Sequence, residues 1–110
     1  MSKIDFSSLL NEMMTAAKNS LGSRWKEVEE LGTSSFKSLA QGIVDIEKMR
    51  INNTVSEEQA KLLLDMHKST LRIVLLSIEG IGLIAVEEAI NAALNAVKQT
   101  VNTALGFALL

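Results

Sequence analysis

The sequence predicts an all-α fold: a long antiparallel helical hairpin that dimerises into a four-helix bundle. Three observations predict it. The chain of 110 residues contains no proline, where average usage of about 5% would give about five. Phe6, Leu10, Met13, Ala17, Leu21, Trp25, Val28, Gly32, Phe36, Leu39, Ile43 and Ile46 recur at about 3.6 residues per step, the period of one α-helix. Hydrophobic residues make up 47% of the chain and charged residues 22%, with a formal net charge of −2, a balance that suits a packed bundle and argues against disorder. One domain of this length is expected, and two helices alone leave a flank of each apolar stripe in water. A partner is therefore part of the expectation.

The first arm runs over about residues 4–51. It ends with Lys48 and Arg50, which complement the negative end of the helix dipole. Gly22, Gly32 and Gly42 fall ten apart and are candidate breaks of this arm, Gly22 above all because it sits beside Ser20 and Ser23. The turn covers about residues 52–55, where Asn52 and Asn53 are poor helix formers. The second arm follows over about 56–108. Thr54 with Glu57, or Ser56 with Gln59, matches the capping-box pattern, and Glu57 and Glu58 place negative charge at the helix N-terminus. Each arm would be about 70 Å long at 1.5 Å per residue.

Arm two becomes more apolar along its length. From Glu57 to Arg72 one stripe is charged, whereas Ile73 to Val86 reads IVLLSIEGIGLIAV, apolar on every side, the mark of a helix buried by several neighbours or by lipid. The run is shorter than the roughly 20 residues a bilayer requires and contains Glu79, so protein burial is favoured over membrane insertion. Folding back about residue 53 sets position i opposite 106−i and brings Trp25 level with Gly80 and Gly82. Those glycines then read as a recess for the indole inside a continuous helix, with a kink or hinge as the competing reading. Glu79 falls near Lys26 and Glu27 and reads as a paired structural carboxylate.

Little in the chain points to catalysis, and no enzyme activity, cofactor or metal is expected. The sequence has no cysteine and a single histidine, His67, which excludes disulfides, thiolate metal sites and thiol catalysis. The Glu-x-x-His motif of ferritin-like bundles is missing; an all-carboxylate site from Glu27, Glu30 and Glu79 of two chains is the less favoured metal reading. His67, between Leu63 and Leu71, reads as a hydrogen-bonded core or interface histidine. The methionines, Met66 among them, read as irregular core filler. Basic residues (11) are interspersed with acidic ones (13), so nucleic acid is not an expected partner.

The function expected is that of a non-enzymatic oligomerising bundle protein, a scaffold, adaptor or assembly subunit. Its partner would be a second copy of the chain or another helical protein. Two apolar stripes on arm two support this: Leu63, Val74, Ile78, Ile81 and Ala85 on one, Leu62, Ile73, Leu76, Leu83, Ile90 and Leu94 on the other. One covers the hairpin partner and the other a second chain, which would make dimer and fold inseparable. The alternative is a membrane-active or secretion-assembly helical subunit, since the hairpin outline resembles the small helical rod and needle subunits of bacterial secretion systems, though no motif carries that likeness. The N-terminal residues lack the apolar stretch of a signal peptide, so a cytoplasmic location is expected and Asn52-Asn53-Thr54 reads as a turn, not a glycosylation site.

Overall fold

The computed structural model describes residues 3–110. Four α-helices account for most of them: α1 (Phe6–Leu21), α2 (Trp25–Ile51), α3 (Glu57–Leu76) and α4 (Leu83–Leu105), with a 3₁₀ turn at Gly22–Arg24 between the first two. No strand occurs among the described residues. α1 packs along α4 and α3 along α2, α1 and α2 touch, α3 and α4 touch, and diagonal contact between α2 and α4 is slight. The body measures 42 × 22 × 19 Å. Its long dimension matches the roughly 40 Å of the 27-residue α2 at 1.5 Å per residue. The all-helical class is as the sequence predicts, but both long arms are folded in two, and one chain supplies all four helices of a bundle that the sequence assigned to a dimer.

Arm one breaks at Gly22. Its φ of 57° with ψ of −128° is closed to side chains bearing a Cβ, and there the chain reverses. The reversal is visible at the opposite end of the bundle, where the Glu47 carboxylate on α2 accepts the backbone N–H of Lys3 at 2.8 Å and of Ile4 at 3.4 Å. Glu47 is buried. Amide donors to a carboxylate are the partners that make such burial tolerable. Next to it Asp5 caps α1, accepting the Ser8 N–H at 2.9 Å. Hydrogen bonds from the Ser8 side chain and backbone hold the Asp5 carboxyl below the usual carboxylate range.

Arm two breaks between Ser77 and Gly82. Gly80 and Gly82 have φ of 87° and 77°, so they are turn residues and do not line a recess within a helix. The physical reason is that two glycines one residue apart weaken a helix by about 1 kcal/mol each and provide the left-handed backbone that a reversal needs. Ile81 between them folds inward and is buried, and Arg24 donates to its carbonyl at 3.3 Å, closing this end. Glu79 is exposed in the turn, not set into the packed face of a helix. No heavy atom beyond the chain neighbours lies within 4 Å of a Cβ position at Gly80 or Gly82, so the Trp25 indole does not lie on them. It rests on Gly32 of its own helix, where a Cβ would sit 3.4 Å from two ring carbons. The recess glycine is seven residues along the same stripe, and the Lys18 ammonium lies 5.5 Å from the ring centroid.

The turn after α2 falls where expected. Asn53 takes a φ of 56°, and Ser56 and Gln59 form a complete capping box. Arg50 donates to the Val55 carbonyl at 2.9 Å and stacks 5.2 Å from the Phe107 ring centroid, tying this turn to the C-terminus. There Gly106 in the left-handed region ends α4. The Asn102 Oδ1 accepts the N–H groups of both Leu109 and Leu110 at 2.9 Å, which folds Leu109 into the core. Met13, Phe36, Leu39, Ile43, Ile46, Leu75 and Ile90 are the largest apolar side chains enclosed.

Candidate functional site

α3 is amphipathic twice over. At about 100° per residue, Ala60, Leu64, Leu71 and Leu75 share one face, and all four are buried against the bundle. Leu62, Met66, Ile73 and Leu76 share the opposite face with Ser69. There they are 64, 65, 69 and 39% exposed. Isolated surface leucines need no explanation, but four large apolar side chains in register on one outward helix face do. Leu83 and Ile84, at the start of α4, are exposed as well.

Charge is distributed unevenly along the stripe. Helical spacing puts Glu58, Asp65 and Arg72 on one flank, with Lys61 and Lys68 next to them farther from the stripe, and Gln59, Leu63 and Thr70 on the other. Arg72 also pairs through Nε with Glu87 of α4, which orders its guanidinium at the α3 edge. Beside the uncharged flank, between α2 and α3, runs a groove of about 300 Å³ lined by Leu31, Ser34, Ser35, Ser38, His67 and Thr70, with Leu39, Leu71 and Val74 at its floor and rim. Leu31 is exposed there. His67 lies across the backbone of Gly42, whose Cβ position would be 2.7 Å from the ring. Gly42 therefore faces His67, three residues from position 64, where the fold-back arithmetic places its partner.

The sequence-predicted interface residues separate into two groups. Leu62, Ile73, Leu76 and Leu83 are exposed. Ile90 and Leu94 are buried in the chain's own core, because the break at Gly80–Gly82 turns α4 back against α1. Trp25 is also buried, and Gly80 and Gly82 form the connecting turn. Met66 was read as core filler, yet it lies at the centre of the exposed stripe. Its spacing of four from Leu62 and seven from Ile73 was the available signal, hidden by the adaptability of methionine. Glu47 was missed for a different reason, since nothing local marks a glutamate on a helix as a clamp for a segment 43 residues away.

Among the described residues no three His, Cys, Asp or Glu side chains gather in a way that could hold a metal ion, and no helix is long and apolar enough to cross a membrane. Comparison with known family models, characterised proteins and solved structures finds no match to this chain.

Proposed function

We propose that this protein is a non-enzymatic helical bundle that works by protein–protein contact, as a scaffold, adaptor or assembly subunit, with the outer face of α3 as its docking surface. The observation that carries the reading is the double amphipathicity of α3. One apolar face satisfies the core, and the other presents Leu62, Met66 and Ile73 to solvent. Burying a large aliphatic side chain contributes about 1.5–3 kcal/mol, so leaving three of them out on one face is a standing cost that a partner removes. The competing secretion-assembly or membrane-active reading needs the apolar stretch from Ile73 to Leu110, of which Val86, Ile90, Leu94, Val97 and Val101 are already used by the bundle core. A cytoplasmic location belongs to the same proposal and rests on the sequence alone.

The test is a photo-crosslinking amino acid placed at Met66 and, as a control, at Asn95 on the exposed polar face of α4, in the native cells. Discrete adducts from position 66 and none from position 95 are expected. Equal labelling at the two positions, or no adduct at either, overturns the assignment of α3 as the docking face.

A further inference from the structure

Resting on that docking reading, we infer that the occupant of the α3 face is the α3 face of a second copy of this chain, packed antiparallel about a two-fold axis through Ser69. The stripe has the symmetry such an axis demands. Leu62 and Leu76 lie seven residues to either side of Ser69, and Met66 and Ile73 lie three and four residues away. Reversal about Ser69 therefore places Leu62 against Leu76 of the second copy and Met66 against its Ile73. The small serine falls at the crossing point, where two helix backbones come closest.

Charge supports the same register and selects its direction. In an antiparallel pair each flank of a helix meets the identical flank of its partner. The flank carrying Glu58, Asp65 and Arg72 then runs against itself reversed, and Asp65 of each chain meets Arg72 of the other, twice per dimer. A parallel pair would set this flank against Gln59, Leu63 and Thr70, which offer it no charge. Arg72 is already held at the edge of the stripe by Glu87, and a guanidinium has donors enough for two carboxylates.

The strip from Leu62 to Leu76 is about 21 Å long and about 10 Å wide, far below the roughly 800 Å² per partner of a standard interface. Because the four-helix core closes within one chain, the dimer is separable from the fold. Association is expected at protein concentrations on the order of 0.1–1 mM, and dilution should leave helicity unchanged. This replaces the sequence expectation that folding and dimerisation are one event.

Sedimentation equilibrium on three purified forms tests the register: the parent, Asp65→Arg and Arg72→Asp. Each single variant presents like charges to its own copy at both contacts, and its self-association should weaken about tenfold or more. An equimolar mixture of the two variants restores both opposite-charge contacts, so heterodimer should form about as strongly as the parent dimer. Because Arg72→Asp also removes the pair with Glu87, circular dichroism is recorded on each form. A second measurement does not depend on charge. The chain has no cysteine, so Ser69→Cys should form a disulfide dimer under mild oxidation, whereas Ser7→Cys, exposed on α1, should not.

A parent that stays monomeric at 1 mM in roughly physiological salt, or a mixture no stronger than the single variants, overturns the antiparallel self-pairing. If discrete adducts still form from Met66 in cells, and only with other proteins, the docking face stands and the second-copy proposal alone fails.

Discussion

α3 and α4 come from the same apolar half of the chain, yet they dispose of their large side chains in opposite ways. α4 has three charged residues in 23 and, beyond the exposed Leu83 and Ile84 of its first turn, hides Val86, Ile90, Leu94, Val97 and Val101 in the bundle, keeping Glu88, Asn91, Asn95 and Gln99 outside. α3 has six charged residues in 20 and still leaves Leu62, Met66 and Ile73 in water. Total hydrophobicity therefore does not tell which apolar side chains the fold leaves in water. What separates the two helices is a second apolar face on α3, opposite the one that the bundle covers, and it is this face that the docking proposal uses.

The largest expected effect breaks this comparison most directly. Ile90→Ala in α4 should cost about 2–5 kcal/mol, because it opens a cavity in a packed core. Ile73→Ala in α3 should change stability by no more than about 0.5 kcal/mol at micromolar protein. Urea denaturation of the two variants measures both values. Comparable losses would mean that Ile73 is a core residue and that the two helices do not differ.

The contact between Gly42 and His67 sharpens the comparison at the inner edge of α3, where a ring lies on bare backbone. Gly42→Ala forces that ring away and should destabilise by about 1–3 kcal/mol, despite the better helix propensity of alanine. With His67→Ala also present the obstruction is gone, and the same glycine substitution should stabilise by about 1 kcal/mol. A double-mutant cycle reads the change of sign. Additive effects would show that the imidazole yields without cost and that α3 does not depend on this seat.

How far the sequence could be read follows the range of the interactions involved. The helical class, the turn near residue 53 and the Ser56–Gln59 capping box are set by neighbours a few residues apart, and all three were legible. The reversals at Gly22 and at Gly80–Gly82 were harder. A glycine within an apolar helical pattern signals equally a recess, a kink or a turn, and only the burial of Ile81 and the closure of α1 onto α4 decide for the turn. The same ambiguity misplaced Trp25, whose recess is Gly32 on its own stripe. The exposed stripe was half legible: Leu62, Ile73 and Leu76 were assigned to a partner-facing side, but Ile90 and Leu94 were grouped with them on the assumption of one unbroken helix. Once the helix turns, residues that share a phase no longer share a face.

The smallest expected effect concerns how the two helices begin. α3 opens with a reciprocal pair, the Gln59 N–H donating to Ser56 Oγ at 3.1 Å and the Ser56 N–H donating to Gln59 Oε1 at 2.8 Å. α4 opens at Gly82 with no side-chain cap and relies on packing. Ser56→Ala should therefore cost about 1 kcal/mol, and the loss should be local, with faster amide hydrogen exchange in the first turn of α3. Adding a capping side chain to α4 as Gly82→Ser should bring no matching gain, because a residue with a Cβ at a φ of 77° and a ψ of 149° is strained by about 1–3 kcal/mol. If Gly82→Ser instead stabilised the protein, the backbone there would be free to leave the left-handed region. The turn that separates the satisfied helix from the unsatisfied one would then be set by packing alone.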